Sequence, residues 1–379
     1  MPSRRYEAPC GKVGRRYVNA VVRELRRVRD RQWNSERFIV FQTVTLQRAC
    51  HVTASWDICR RIKKRLDAWE AGQYSMLVED TLLSCTQYLT AVRREETAEH
   101  RAKTYRSLVF HGKLRKAVRW ITEQDKWGVL LPEEKCMKTR ERVMEVLRTK
   151  HPDARPLSAA CLDAYPNNPP EMVPVDITND VVAAVAGRLS GGADPGGTDL
   201  VSLQHWMLRF GVASGELRKI IAEFGEWLSN GRPQWAAYCA MMSGRLIALD
   251  ISTGIRPVGI GKTWRRLLAK CLLRVTGQDE KAACGTDHIA GGVEAGTEVA
   301  IHATRLQWTQ HYQEEEWGFL LIDARNVFNE KNQTAMLWAV RHEWPGCAQF
   351  TFNCYRHWAM LLVRYTADGS GHFLHSKGA

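Results

Sequence analysis

Asp323 ends a short apolar run, Trp317 to Ile322, in the pattern of a buried strand that delivers one carboxylate at its tip. A carboxylate so placed is a hard oxygen ligand at a sheet edge, where a divalent cation could be held. Phe328, further along the same segment, would stand beside that metal and could wall a nucleotide sugar. Arg256, within Ile255-Arg256-Pro257-Val258-Gly259-Ile260, is a permanently charged fork suited to a triphosphate. Nucleotide addition through two metals needs such parts, with further carboxylates closing the site. Taken alone, Asp323 reads more simply as a cap on the turn that follows a strand. The order of its companions along the chain is what gives it a chemical reading.

Other patterns fall away on inspection. Gly261-Lys262-Thr263 looks like the end of a phosphate-binding loop, but the first glycine of that loop would fall on Arg256, so the backbone amides could not wrap a phosphate. His372 and His375 are a pair with no third metal ligand nearby. Asn332-Gln333-Thr334 fits a glycosylation acceptor in a chain with no sign of secretion. The 11 cysteines are odd in number and form no C-x-x-C, which favours reduced, mostly buried thiols over a disulfide framework or zinc.

The elements that must position the candidate residues can be read from periodicity. Tyr17 to Asn34 is predicted to be a basic helix, with Val18, Val21, Val22, Leu25 and Val28 at helical spacing and arginines crowding the rest. Further basic helices are predicted over Ser55 to Ala71 and Thr97 to Glu123. The aromatics Trp33, Tyr74, Tyr105, Trp120 and Trp127 are interleaved with these cations, an arrangement that suits base stacking as well as a core. Prolines between 151 and 175 mark a linker, because proline denies a helix its donors. Helices are expected over Asp176 to Arg188, Val201 to Phe210 and Gly215 to Leu228, with a glycine-rich turn at Ser190 to Gly197. Arg245 to Leu249 and Pro257 to Ile260 are expected as strands, and Trp264 to Val275, Val293 to Trp308 and Gln333 to His342 as helices. The expected class is α+β, with a basic helical region 1–150, a linker 151–175 and a mixed region 176–379.

Composition bounds the rest. The 379 residues are 45% hydrophobic and 25% charged, which excludes disordered and collagen-like classes. No apolar run approaches the roughly 18 residues of a membrane helix. Met1 to Arg16 is basic but lacks the apolar stretch of a signal peptide, so an intracellular protein of nucleus or cytoplasm, with no membrane partner, is expected. The net charge is +13, and it is uneven. Residues 1–150 hold 33 basic and 18 acidic side chains, a net +15, which leaves 151–379 at −2. A field of that kind suits phosphate backbones.

Taken in order, these segments resemble the reverse transcriptases of non-LTR retrotransposons. Gly254 to Lys270, GIRPVGIGKTWRRLLAK, is similar to their second fingers motif, an R-P-[IL] strand followed by a helix. Leu320 to Gln333, LLIDARNVFNEKNQ, is similar to the first palm motif, D-x-x-x-x-F. SGGADPGGTD, Ser190 to Asp199, resembles the glycine-rich turn before the fingers. GRLIALD, Gly244 to Asp250, resembles the strand leading into R-P-[IL], and the final FLHSKGA resembles the lead-in to the second palm motif.

The resemblance covers about Leu189 to the last residue and implies the fingers and first part of the palm of a right-hand polymerase, an RNA-directed DNA polymerase. It implies that Asp323 is the first catalytic, Mg²⁺-binding aspartate, with Ile322 and Ala324 positioned around it. Phe328 would be the steric gate against a ribose 2′-hydroxyl, and Arg256 a contact to the incoming dNTP. Lys262, Arg265 and Arg266 would be contacts to nucleic acid, either template or phosphate. The implied partners are an RNA template and a DNA primer.

Two motifs of the family, G-x-x-Q-G-x-P and Y-x-D-D, do not occur in these residues, and Tyr365-Thr366-Ala367-Asp368-Gly369 offers one aspartate where two adjacent ones are needed. One carboxylate cannot hold two metals, so the chain as it stands is expected not to polymerise alone. The alternatives are a basic nucleic-acid-binding protein without catalysis, or an inactive relic.

Overall fold

The structure, a computed structural model, describes residues 5–49, 52, 54–92, 98–112, 114, 117–118, 129–136, 138–153, 155–251, 254–285, 288, 295–322, 326–365 and 371–376. Helices open the chain: α1 (Lys12–Arg29), α2 (Ser35–Leu46), α3 (Ser55–Glu70), α4 (Tyr74–Val92) and α5 (Ala98–Phe110). A short strand β1 (Val129–Leu130) precedes α6 (Val143–Thr149) and α7 (Ala160–Asp163). Beyond the prolines come α8 (Asn179–Ala186), α9 (Leu200–Leu208), α10 (Val212–Asn230) and α11 (Trp235–Met242). The strands β2 (Gly244–Ile251) and β3 (Gly254–Gly261) lead into α12 (Thr263–Cys284), then α13 (Gly296–His311), α14 (Val327–Glu330), α15 (Gln333–Glu343) and α16 (Pro345–Tyr355). A hairpin of β4 (Ala359–Tyr365) and β5 (Gly371–Ser376) follows. Among the described residues the result is a helix-rich mixed fold with one small sheet.

The helices form where apolar spacing and caps agree. On α1 the stripe Tyr17, Val18, Val21, Val22, Leu25 and Val28 is buried. Thr178 Oγ1 accepts from Val181 N at the start of α8, and Asp199 Oδ1 accepts from Ser202 N (2.7 Å) at the start of α9. The sheet is built around β2. β3 pairs antiparallel with it from Gly244↔Gly261 to Ile251↔Gly254. The other edge of β2 is shared by β4, parallel at Gly244 and Arg245, and β1, antiparallel at Ala248 and Leu249.

One apolar cluster draws on α1 to α4, on α8 to α12 and on α16. Tyr17 of α1 stacks on Phe41 (5.8 Å between centroids) and meets Trp206 of α9 edge-on (5.2 Å), while Phe38 of α2 meets Trp264 of α12 (5.1 Å). The chain on both sides of the proline-rich stretch 151–175 therefore contributes to the same core. A smaller cluster, Cys136, Val143, Met144, Leu147, Leu246, Ala248, Ile255 and Leu374, packs α6 on one face of the sheet.

One expected element is absent. Trp317 to Ile322 is not a strand but irregular chain, with Leu320, Leu321 and Ile322 83%, 91% and 83% exposed. A strand needs a partner edge, and no described strand pairs with this run. Trp317 instead stacks on His311 (4.9 Å) and Phe319 on Trp308 (6.3 Å), so the run leans on α13.

Candidate functional site

The glycine-rich turn and the start of α12 are built as one unit around Asp194. Its backbone N–H donates to Thr198 O (2.8 Å), which closes the turn. Oδ1 accepts from Gly196 N (2.8 Å) and Thr198 N (3.3 Å), while Oδ2 accepts from Thr263 N (3.3 Å) and Thr263 Oγ1 (3.2 Å). The carboxylate thus sits at the positive end of α12 and satisfies donors that the first turn of a helix leaves open. This also disposes of the phosphate-loop likeness of Gly261-Lys262-Thr263: the anion at that helix start is Asp194 itself.

Lys262 lies in the same place, 4% exposed. Burial pushes its ammonium below the usual lysine range, opposed by the Asp194 carboxylate and reinforced by the Arg5 guanidinium. Lys262 is therefore a buried cation, and the expected contact to template or phosphate is not available to it in this fold. Arg5 hydrogen-bonds Thr198 Oγ1 and donates to Thr43 Oγ1 (2.7 Å), which ties the first described residue of the chain to the turn.

The two arginines that follow are half-buried. Arg265 Nη1 donates to Met242 O (3.2 Å), and Arg266 Nη1 donates to Gly192 O (2.8 Å). Gly191, with φ 138°, lets the Arg266 guanidinium pass: a Cβ there would lie 2.3 Å from its Nη2.

Arg256 is placed differently. It stands on β3, exposed, opposite Leu249 of β2, and its side chain has no hydrogen bond or ion pair among the described residues. Its neighbour Ile255 is held by Lys150, whose Nζ donates to Ile255 O (2.5 Å). The carbonyl of the same Lys150 accepts from Asn326 Nδ2 (3.0 Å). Asn326 adopts φ 53° and also bonds Glu330 Oε1 (3.0 Å), while its Oδ1 accepts from Asn329 Nδ2 (2.7 Å). Asparagine tolerates this left-handed backbone because its short amide can bond locally. Lys150 thus joins the strand of Arg256 to the turn that follows Asp323. Asp323 itself lies outside the described residues. Phe328 falls within α14, and its side chain also lies outside them.

Three of the segments singled out in the sequence come together: the glycine-rich turn, the β2–β3 hairpin and α12. Asp194, which ties the turn to α12, and Lys150 and Asn326, which tie the hairpin to the chain before α14, were not singled out. Asp194-Pro195-Gly196 carries a signal, since an aspartate before Pro-Gly commonly accepts from amides two residues on. Lys150 carries none, because its bonds use its own carbonyl and a distant one.

Among the described residues no group of three or more His, Cys, Asp or Glu could hold a metal ion. No helix among the described residues is long and apolar enough to cross a membrane. No protein-family model, no curated protein and no solved structure matches this chain.

Proposed function

We propose that this chain is a reverse transcriptase-like protein, supplying fingers and the beginning of a palm for RNA-templated addition of deoxynucleotides to a primer 3′-hydroxyl. The observation that carries the reading is the Lys150 joint. Lys150 Nζ reaches the carbonyl of Ile255, the neighbour of Arg256 on β3, and the Lys150 carbonyl accepts from Asn326, three residues after Asp323 in the sequence. An exposed, unpaired arginine fork there is available to a triphosphate, whereas Arg265 and Arg266 each spend a donor on the protein. In this reading Asp323 binds Mg²⁺ and Phe328 faces the sugar. Lys262 is left out of the nucleic-acid contacts and serves the turn.

The test is Mg·dNTP binding to the protein loaded with an RNA template and DNA primer, followed by calorimetry. Arg256→Gln is expected to weaken dNTP binding about tenfold, the scale of one charge-assisted hydrogen-bonded contact, and to leave primer–template binding unchanged. dNTP affinity equal in the two proteins, or no dNTP binding at all, would refute the reading.

A further inference from the structure

Eight arginines of the basic N-terminal region are engaged by carboxylates among the described residues. Arg16 pairs with Asp67 (2.6 Å) and Glu70 (2.5 Å), Arg23 with Glu70 (2.7 Å), and Arg61 and Arg65 with Asp80 (2.9 and 2.6 Å). Arg26, Arg27, Arg29 and Arg37 likewise meet carboxylates. One stripe of α3 departs from this. Trp56, Arg60, Lys63 and Lys64 recur at i, i+4, i+7 and i+8, all exposed, opposite the face that buries Ile62, Leu66 and Trp69. Arg60, Lys63 and Lys64 have no ion pair among the described residues. Of the acids on this helix, Asp67 and Glu70 are engaged by Arg16 and Arg23, leaving only Asp57 against three free cations. Trp56 is 69% exposed, with the Arg60 guanidinium 5.5 Å from its ring centroid.

We infer that this face of α3 binds single-stranded nucleic acid, with a base stacked on Trp56 and the backbone phosphates following Arg60, Lys63 and Lys64. An open indole among unpaired cations is what a stacking platform requires, since every base has a π-face and every nucleotide a phosphate. A duplex offers no unpaired base to such a ring. A membrane surface is the poorer fit, because Trp56 is the one apolar side chain in a stripe otherwise charged. The inference does not depend on the polymerase-like reading of the later segments.

The experiment is fluorescence anisotropy of the full chain with a labelled uridine oligonucleotide of about 15 nucleotides, across a salt series. Trp56→Ala is expected to weaken binding about tenfold, with Trp56→Phe restoring most of it. The triple variant Arg60→Gln, Lys63→Gln, Lys64→Gln is expected to flatten the log–log salt slope by about 2, at ~0.7 per phosphate lost on a single strand. A charge-matched control removes three exposed, unpaired cations elsewhere: Arg188→Gln, Arg209→Gln, Lys219→Gln. All these side chains are exposed, and unchanged thermal melts confirm folding. The inference is overturned if the control triple lowers affinity as much as the α3 triple. It is equally overturned if Trp56→Ala changes nothing, or if the α3 variants lose binding to anionic phosphatidylserine vesicles but not to the oligonucleotide.

Discussion

Two oppositely charged residues of the turn, Asp194 and Lys262, have unequal roles although both are buried. Asp194 accepts four hydrogen bonds and offsets two cations, while Lys262 is one of the cations it offsets. Removing a lone buried partner leaves an uncompensated charge, which costs far more than replacing a cation by an apolar side chain of similar length. Asp194→Ala is therefore expected to destabilise the protein by about 3–5 kcal/mol. Lys262→Met should stay within about 1.5 kcal/mol of the parent, because Asp194 keeps all its donors. Urea unfolding of the two variants checks this, and the opposite ranking would mean that the ammonium holds the turn. Lys262→Met should also leave RNA affinity unchanged. At this scale the sequence exposes residue types but not their surroundings: Arg256 and Lys262 look alike as cations near a turn, and only burial separates them.

Elements were legible where a periodic stripe and a stop signal coincide. The helix expected over Ser55 to Ala71 runs Ser55–Glu70, and the strands around 252–253 form the expected hairpin, longer at both ends. α12 continues past Val275 to Cys284 and stops at Gly285, whose φ of 65° ends the helix without strain. Trp317 to Ile322 was not legible, because a short apolar run has no period to distinguish a paired strand from bare chain. Pairing depends on distant edges, which a local run does not reveal. The exposure of this run gives a direct check. Leu320→Ser with Leu321→Ser is expected to change stability by less than about 0.5 kcal/mol, as for surface positions. In a buried strand the same pair would cost several kcal/mol, on the order of 2–5 for each leucine. The double variant should also bind less of an apolar dye, since both leucines expose apolar side chains.

Across the whole molecule, the +15 of residues 1–150 suggested a free electrostatic arm, and part of that arm turns inward. Arg26 and Arg29 of α1 reach Glu216 and Glu223 of α10, so one basic helix before the prolines meets two acids of a helix after them. The apolar faces follow the charges: Tyr17, Val21, Leu25, Phe38 and Phe41 are fully buried in a cluster that includes Trp206, Leu217, Ile221 and Trp264. Charge asymmetry along a sequence cannot reveal this, because it does not say which acids a basic helix will meet. A chain beginning at residue 151 would lose those side chains from the cluster, at about 1.5–3 kcal/mol for each large apolar group. For these five the sum, about 7.5–15 kcal/mol, is as large as the roughly 5–15 kcal/mol by which a domain is stable. Such a fragment is therefore expected to show no cooperative thermal transition and no near-ultraviolet signal from packed tryptophans. Co-expression with residues 1–150 as a separate chain should restore both, because the missing face of the core is then supplied in trans. A fragment that melts cooperatively on its own would mean that the two sides are independent domains that merely touch.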